Sequence, residues 1–323
     1  MGKILANDGI NVTTKLELEK LGFVVDTNKV NQEDLINVIN SENYVGILVR
    51  SATKIRKDII DNCPSVQFIG RGGVGMDNID VDYARDKGIK VFNTPTSSSQ
   101  SVAELVIGNM FAISRYIGHS SRNLVEGNFN ELKKRYESGV ELRGKTLGIV
   151  GFGRIGQTLA GYAFGIGMNV VAVDIFDNKI GISIGTGDVR ITNYVDVKTK
   201  IEDILPICDY ISLHVPKQSN GESVIGSKEF ELMKDGVRII NTSRGGVVNE
   251  LDLLTYLNNG KVSAAALDVF ENEPTPMVEL LSHPNILCTP HIGASTIEAQ
   301  DRIGDEIINE ILKWKESTLL KQI

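Results

Sequence analysis

The stretch from Thr146 to Asp174, TLGIVGFGRIGQTLAGYAFGIGMNVVAVD, constrains the fold more than any other part of the chain. A short apolar run ends at Gly151, glycines recur at Gly153 and Gly156, and an apolar helical pattern leads to a second apolar run. This order predicts a strand, a helix and a strand, which is the βαβ unit of a dinucleotide-binding domain. In such a unit the first glycine forms a tight turn, the second lets the backbone approach a pyrophosphate, and the third lets the helix pack closely on its strand.

Asp174 indicates which dinucleotide binds. It ends the second apolar run, at about the distance from the last glycine at which these units place an acidic residue. A carboxylate there accepts hydrogen bonds from the ribose hydroxyls and repels a 2′-phosphate. The sequence therefore predicts NAD rather than NADP. A glycine-rich surface turn is the alternative for the glycines alone, but the strand, the helix and the acid in one unit favour the dinucleotide site.

Composition limits the class of protein. The 323 residues suit two domains of ordinary size, and the net charge of −7 without a dominant basic stripe argues against a nucleic-acid partner. The three cysteines, Cys63, Cys208 and Cys288, are scattered without metal-ligand spacing, so we expect reduced buried thiols, no metal site and a cytoplasmic protein. The chain starts directly on a strand, MGKILAND, so we expect neither a signal peptide nor a membrane anchor.

Residues 3–97 alternate strand-like and helix-like runs, which predicts a parallel sheet covered on both faces. Ligands of such sheets bind beyond the carboxyl ends of strands, so the loops of interest follow Val49, Ile69 and Phe92.

The loop RGGVGMDNID, from Arg71 to Asp80, contains consecutive glycines that can turn backbone N–H groups toward an anion. A tight turn without a ligand is the equally weighted alternative. Arg50 and Arg71, both at strand ends, favour an anionic substrate with a second negative group.

The remaining elements complete a second sheet. We expect one long helix from near Gln100 to about Glu126, an exposed connector with Lys133, Lys134 and Arg135, a short strand within 175–197, and a helix over Lys200–Asp209. The strands YISLHVP, VRIINTSRGG, SAAALDVFENEP and ILCTPHIGAS follow, and the last helix crosses back to the first domain. The predicted domains are a discontinuous substrate-binding domain, 1–97 plus 292–323, and an NAD-binding Rossmann domain, 98–291.

A dehydrogenase needs a group that accepts a proton and a cation that holds the substrate. Of the histidines His119, His214, His283 and His291, the last is favoured because it follows an apolar strand at its carboxyl end, whereas His214 could line the adenine pocket or be structural. Glu271 or Glu273 would orient the ring, and spacing alone does not choose between them. Arg244 suits a bidentate contact with the substrate. Asp268, in an apolar run, would accept from the nicotinamide carboxamide or serve as a buried hydrogen-bonding residue.

Motifs along essentially the whole chain resemble those of the D-2-hydroxyacid dehydrogenase family: VRSATKI, GRGGVGMDNID, NTP with SVAEL, GKTLGIVGFGRIG, LHVP, INTSRGGVVNE, AALDVFENEP and TPHIGAST. The resemblance implies an α/β fold of two Rossmann-like doubly wound parallel-sheet domains flanking a cleft, in a homodimer that acts on a small-molecule substrate.

The resemblance also implies a role for each matching residue. It makes Arg244, Glu273 and His291 catalytic, which settles the choice between the two glutamates. The implied cofactor-binding residues are Gly151, Gly153, Arg154, Ile155, Gly156, Asp174, His214, Val215, Pro216, Thr242, Ser243, Asp268, His291 and Gly293. The implied substrate-binding residues are Arg50, Ser51, Arg71, Gly73, Val74, Gly75 and Arg244, with the amides of Val74 and Gly75 on the substrate carboxylate.

Within the family, the VRSATK motif is similar to that of members that oxidise phosphoglycerate. It implies NAD-dependent oxidation of 3-phospho-D-glycerate to 3-phosphohydroxypyruvate, the entry to serine biosynthesis, with Arg71 a candidate for the phosphate. The alternatives are a reductase of unphosphorylated 2-keto acids, of the glyoxylate/hydroxypyruvate or D-lactate type, and an NAD-sensing corepressor-like binding protein. Three features depart from the family pattern: Ser98 replaces a frequent Asn, the stretch 176–198 lacks the usual acidic helix, and the chain stops at Ile323, so feedback through a regulatory domain is not expected.

Overall fold

The structure is a computed structural model that describes residues 2–185 and 188–320. The chain divides into two compact units, the first from Met1–Ser98 and Ala294–Ile323 and the second from Ser99–Gly293. Their limits differ by one or two residues from the predicted domain limits. Within the predicted stretches, Met1, residues 186–187 and residues 321–323 lie outside the described residues.

The first unit is built on a five-stranded parallel sheet. Its strands are β1 (Lys3–Ala6), β2 (Val24–Asp26), β3 (Tyr44–Val49), β4 (Phe68–Arg71) and β5 (Lys90–Asn93). They lie in the order β2-β1-β3-β4-β5, so the strand order reverses between β1 and β3. The carboxyl ends of these two strands therefore border the crevice where such sheets bind ligands. Helices α1 (Val12–Lys20), α2 (Leu35–Glu42), α3 (Lys57–Asn62) and α4 (Val81–Asp86) connect the strands.

The second unit contains an eight-stranded sheet. Its strands are β6 (Thr146–Val150), β7 (Asn169–Val173), β8 (Asn178–Ile184), β9 (Ile191–Lys198), β10 (Tyr210–Leu213), β11 (Val237–Asn241), β12 (Val262–Leu267) and β13 (Ile286–Cys288). Their order is β13-β12-β11-β10-β6-β7-β9-β8, and only β8 runs antiparallel to its neighbour. The order reverses between β6 and β10, which places the ligand-binding crevice of this sheet at the end of β6, where the glycine-rich loop begins. The predicted parallel sheets are confirmed.

The helices of the second unit correct one prediction. They are α5 (Ser99–Ser114), α6 (Ile117–Asn123), α7 (Phe129–Arg135), α8 (Arg154–Gly165), α9 (Ser227–Leu232), α10 (Glu250–Asn258) and α11 (Val278–Ser282). The single helix from Gln100 to Glu126 is wrong, because Tyr116 takes the left-handed φ of 56° between α5 and α6. The ring of Tyr116 stacks on the ring of Tyr136, with their centroids 5.4 Å apart. The Tyr136 hydroxyl in turn bonds His119 Nδ1 at 2.7 Å, so this aromatic cluster stabilises the break between the helices. The basic run predicted in a connector lies in α7.

The stretch after β7 also differs from the prediction. Instead of one short strand, β8 and β9 form an antiparallel hairpin, and β9 extends the sheet in parallel with β7. The predicted helix over Lys200–Asp209 consists of two 3-10 turns, Ile201–Asp203 and Leu205–Ile207. Pro206 has no backbone N–H to donate, which explains why a regular α-helix does not continue through this run.

The last helix, α12 (Ile297–Leu320), belongs to the first unit and packs on α1. The helices meet so closely that a Cβ on Gly304 would lie 1.8 Å from the Thr14 hydroxyl. Of the three free cysteines, Cys63 and Cys208 are buried as predicted but Cys288 is only half-buried. Among the described residues, none of the helices combines the length and apolar character needed to cross a bilayer, and no three potential metal ligands cluster.

Candidate active site

The glycine loop of the second unit leaves space in front of a helix. Gly151 has φ 93°, and a Cβ there would lie 2.5 Å from the His214 carbonyl oxygen. A Cβ on Gly156 would lie 2.4 Å from the Gly151 carbonyl oxygen, so both positions require glycine for packing. A Cβ on Gly153 would instead have no neighbour within 4 Å, and α8 begins at the next residue. The first amides of α8 thus face open space that a pyrophosphate fits.

Asp174 lies beside this loop. Its Oδ2 accepts from the Phe152 amide at 2.6 Å, and its Oδ1 accepts from the Ile175 amide at 2.7 Å. These bonds hold the half-exposed carboxylate at the end of β7, adjacent to the glycine loop. The position suits contact with an adenosine ribose, the role predicted for this residue.

His214 and Thr242 supply polar atoms on the neighbouring strand ends. Burial lowers the pKa of His214 to about 4, so its ring is neutral, and Nε2 bonds Ser212 Oγ at 2.8 Å. In the described part of the chain, His214 Nδ1 and Thr242 Oγ1 are buried without a hydrogen-bond partner. Orphaned buried groups of this kind usually have a bound partner, which fits a polar cofactor.

The other predicted cofactor residues lie along the same edge of the sheet. Arg154 and Ile155 open α8, Val215 and Pro216 follow β10, Ser243 follows β11, and Gly293 follows His291. The structure therefore gathers this predicted set at the carboxyl ends of β6, β10, β11 and β13.

Asp268 is fully buried directly after β12. Its Oδ1 accepts from Thr289 Oγ1 at 2.6 Å and the Ile292 amide at 2.8 Å, and its Oδ2 accepts from the Gly293 amide at 2.8 Å. These three donors give Asp268 the buried hydrogen-bonding role that was the alternative in the sequence. The carboxamide contact stays a prediction.

His291 and Glu273 form the centre of the site. His291 Nδ1 lies 2.8 Å from Glu273 Oε2, and Glu273 Oε1 accepts from the Phe270 amide at 3.0 Å. Their side chains are 36% and 34% exposed, so the pair is accessible to a small molecule. Because Glu273 engages Nδ1, the other ring nitrogen, Nε2, is the one that can exchange a proton with a ligand. The structure thus brings together the histidine and the second glutamate of ENEP.

Arg244 belongs to the same cluster. A Cβ on the adjacent Gly245 would lie 1.9 Å from the Phe270 carbonyl oxygen, so the turn after β11 packs directly on the chain that leads to Glu273. Arg244 Nη1 donates to the Ser243 carbonyl oxygen at 2.6 Å, and the Arg244 carbonyl oxygen accepts from Asn241 Nδ2 at 2.9 Å. These contacts fix the turn that carries the guanidinium.

Burial would raise the pKa of the Glu273 carboxyl, but the hydrogen bonds from His291 and the Phe270 amide, with the positive charge of Arg244, lower it below its usual range. Glu273 is therefore a carboxylate at neutral pH. It can stabilise a positive charge on His291.

Glu250 is a residue that the sequence did not single out. It is 5% exposed, and its Oε1 accepts from the Glu271 amide at 2.7 Å. Burial raises the pKa of this carboxyl, and the nearby charges of Glu271 and Glu273 act in the same direction. Glu250 is the first residue of α10, after the TSRGG turn, and nothing in the sequence indicates that it contacts Glu271, which lies 21 residues later.

The first unit contains the predicted anion loop after β4. The Gly73 amide donates to Thr94 Oγ1 at 2.8 Å, and Asn93 Nδ2 donates to the Val74 carbonyl oxygen at 2.6 Å. Within residues 2–185 and 188–320, the amides of Val74 and Gly75 donate no hydrogen bond, which suits a carboxylate ligand.

Arg71 lies at a strand end, as predicted, but its side chain is buried. It is the last residue of β4 and only 8% exposed, and its Nε donates to Asn78 Oδ1 at 3.2 Å. A Cβ on Gly73 would lie 2.4 Å from Arg71 Nη1, so the guanidinium lies against the glycine loop. Its charge is thus placed beside the amides of that loop.

Arg50 and Ser51 follow β3, with Arg50 half-buried and Ser51 exposed. The Arg50 amide donates to Asp8 Oδ2 at 2.7 Å, and the Arg50 carbonyl oxygen accepts from Asn78 Nδ2 at 2.8 Å. The sequence did not identify Asp8 or Asn78, although the strand-end rule applied to β1 would have pointed to Asp8.

Known proteins match this architecture. Residues 107–293 match the family model described as D-isomer specific 2-hydroxyacid dehydrogenase, NAD binding domain. The hydroxypyruvate reductase of Thermotoga maritima is 41% identical over 96% of this chain and 97% of its own length. The D-3-phosphoglycerate dehydrogenase of Methanocaldococcus jannaschii is 39% identical over 100% of this chain, which spans only 59% of that relative. The crystal structure of a glyoxylate reductase from Paecilomyes thermophila has a TM-score of 0.81 and 27% identity, covering 96% of this chain and 94% of that one. Because these matches extend over both units, the chain belongs to the D-isomer specific 2-hydroxyacid dehydrogenase family, an oxidoreductase family, and its cofactor is NAD.

Proposed function

We propose that this protein interconverts a small D-2-hydroxy acid and its 2-keto acid, with His291 as the acid–base group. The observation that carries the proposal is the 2.8 Å contact between His291 Nδ1 and the Glu273 carboxylate, at the strand ends that border the glycine loop. Bound NAD would supply the hydride acceptor for oxidation of the hydroxy acid.

The residues of the second unit divide the remaining work. His291 Nε2 takes the hydroxyl proton from the substrate, and the ring then carries a positive charge that Glu273 stabilises. Arg244 holds the substrate oxygens through its planar guanidinium, which suits a carboxylate or carbonyl. In the reverse direction His291 returns the proton to the keto oxygen.

The substrate we propose first is 3-phospho-D-glycerate, oxidised to 3-phosphohydroxypyruvate for serine biosynthesis. Two features support it: Arg50, half-buried after β3, and the 39% identity with a phosphoglycerate dehydrogenase over the whole chain. In this proposal the amides of Val74 and Gly75 bind the carboxylate, and Arg50 binds the phosphate with Ser51.

Hydroxypyruvate is the second candidate. Hydroxypyruvate reductase from Thermotoga maritima matches this chain over 97% of its own length, whereas the phosphoglycerate dehydrogenase extends well beyond it. The burial of Arg71 points the same way, because its Nε is engaged by Asn78. In this case Arg71 orders the glycine loop after β4, and neither Arg71 nor Arg50 binds a phosphate group.

Initial rates decide between the two candidates. We expect NAD-dependent turnover of 3-phosphoglycerate to exceed that of D-glycerate and D-lactate, and NADP to be a poor cofactor. Arg50→Ala should lower kcat/KM for 3-phosphoglycerate at least about tenfold with NAD affinity unchanged, since a hydrogen bond to a charged group contributes about 1.5–3 kcal/mol. Faster reduction of hydroxypyruvate than of its phosphate ester would favour the second candidate, and no turnover of any 2-hydroxy acid would contradict the proposal.

The homodimer and the cytoplasmic location remain predictions. Exposed apolar side chains between the start of α6 and the start of α7 support the dimer, with Ile117 53%, Leu124 52% and Phe129 63% exposed.

A further inference from the structure

The loop that carries Arg50 and Ser51 is held at both of its ends by a single carboxylate. This loop, residues 50–53, follows β3 at the crevice of the first sheet. Asp8, just beyond the end of β1, accepts the Arg50 amide at 2.7 Å and the Thr53 amide at 3.0 Å on Oδ2. Its Oδ1 accepts the Thr53 hydroxyl at 2.7 Å and also Lys29 Nζ.

Asn78 holds the same loop by its carbonyl groups. Its Nδ2 donates to the Arg50 carbonyl oxygen at 2.8 Å and to the Thr53 carbonyl oxygen at 2.6 Å. Asn78 Oδ1 accepts from Arg71 Nε at 3.2 Å. The amide and carbonyl of both Arg50 and Thr53 are therefore bound by Asp8 and Asn78, and Asn78 also links the loop to Arg71.

These contacts are largely shielded from water. The Asp8 side chain is 5% exposed, and Thr53 and Asn78 are 2% and 8% exposed. A buried carboxylate is costly unless donors surround it, and Asp8 has four of them. Burial would raise the pKa of Asp8, but the hydrogen bonds from Lys29, Thr53 and the Arg50 amide keep it below its usual range.

A negative charge at this place needs an explanation. The proposed function puts an anionic substrate against Arg50, and a nearby carboxylate opposes anion binding by simple electrostatics. The exposed Lys29 offsets part of the charge of Asp8. What the carboxylate contributes is geometry, since one group fixes two amides and a hydroxyl.

We propose that Asp8 and Asn78 are positioning residues that hold loop 50–53 so that Arg50 and Ser51 meet the substrate anion. The proposal rests on the proposed function and adds residues that determine how well the enzyme selects anionic substrates. Asp8 acts through the loop and does not touch the substrate.

The main test is Asp8→Asn. The side chain keeps its size, but the NH₂ group of asparagine cannot accept a hydrogen bond. The donors that bind one of the two Asp8 oxygens therefore lose their acceptor. We expect KM for the anionic substrate to rise about tenfold or more, with kcat at saturation within about twofold and NADH binding unchanged; tenfold corresponds to about 1.4 kcal/mol. If the charge of Asp8 were its main effect, the substitution would lower KM, and a lowered or unchanged KM overturns the proposal.

Asp26→Asn is the matched control. Asp26 lies at the end of β2 in the same unit and accepts from Tyr44 Oη and the Asn28 amide, both at 2.8 Å, and neither of these donors belongs to loop 50–53. Its replacement should leave KM unchanged. An equal rise of KM in both variants would show a general loss of stability and would overturn the positioning role.

A double variant tests whether Asp8 acts through Arg50. If it does, Asp8→Asn should add little to Arg50→Ala, because the two changes share one route. Full additivity of the two effects contradicts the proposal. If Asp8→Asn fails to fold, as judged by the loss of a cooperative melting transition, Thr53→Val takes its place, with a raised KM supporting the proposal and an unchanged KM overturning it. Turnover by the wild-type protein distinguishes failure of the proposed function from failure of the positioning role, since an inactive wild type contradicts the proposed function itself.

Discussion

Replacing Glu273 by glutamine tests the proposed chemistry most directly. In Glu273→Gln the hydrogen-bonding shape is nearly kept, but the negative charge beside His291 Nδ1 is lost. The imidazolium that forms when His291 takes the substrate proton is then no longer stabilised. We expect kcat to fall while NADH binding is unchanged.

The structure sets the size of this effect. With the two charge centres about 4 Å apart, the pair interacts by about 4 kcal/mol at an effective dielectric constant of about 20 and by about 1 kcal/mol in water. The side chains are 36% and 34% exposed, which places the site between these limits. An intermediate value of about 2–3 kcal/mol corresponds to a decrease of about 30- to 150-fold in kcat.

Glu271→Gln is the matched control, because Glu271 lies in the same ENEP loop, whereas the carboxylate that contacts His291 in the described structure is that of Glu273. Steady-state formation of NADH gives kcat for both variants, and fluorescence titration gives their NADH affinity. The reasoning is refuted if Glu273→Gln keeps more than half of the wild-type kcat, or if Glu271→Gln loses as much.

Two further predictions concern the cofactor side of the second unit. Burial lowers the pKa of His214 from 6.5 to about 4, so between these pH values the unfolded chain binds a proton that the folded chain does not. The free energy of unfolding, measured in urea, should therefore fall by up to about 3 kcal/mol as the pH is lowered from 6.5 to 4. His214→Gln should lack this part of the pH dependence, and a parallel pH profile would contradict it. Gly153→Ala should weaken NADH binding about tenfold, since its methyl group enters the open space before α8. Gly165→Ala, at the other end of α8 and also without neighbours within 4 Å, should leave NADH binding unchanged.

The parallel sheets could be predicted because each constraint is local. Glycines 151, 153 and 156 lie between a strand and a helix, and apolar runs of strand length alternate with helical patterns. The strand-end rule then gathers polar residues from distant parts of the chain, and for this reason the sequence alone favours His291. Choosing Glu273 over Glu271 requires the family resemblance, because two acids separated by a single residue satisfy the same rule.

The errors have tertiary causes. The break at Tyr116 depends on a ring stacked against Tyr136, twenty residues further on, which a local helical pattern does not reveal. In the β8–β9 hairpin, Gly181 lies opposite Tyr194, and the ring of Tyr194 covers the glycine. Glycine lowers the strand propensity of such a segment, and only its partner strand compensates.

The residues that hold loop 50–53 could not be predicted from the sequence for a different reason. Asn78 lies inside the predicted glycine loop but acts on residues 50–53, and Asp8 acts on the same loop from β1. Hydrogen bonds of this type connect a side chain to backbone groups far away in sequence, so spacing carries no information about them. They become visible only once the order β2-β1-β3 is known.

The backbone and the ring of His291 are both held by carboxyl groups that follow β12. Its φ of 53° is uncommon for a residue other than glycine and persists only where the surroundings fix it. Asp268 binds the amides of the two following residues and the hydroxyl of Thr289 before it, and Glu273 binds the ring. Both carboxylates follow the same strand, β12, so one strand end fixes the backbone and the ring of His291 together. The buried carboxyl group of Asp268, which apolar patterning alone disfavours, is therefore explained by the backbone that it holds, since this backbone carries the ring needed for the proposed proton transfer.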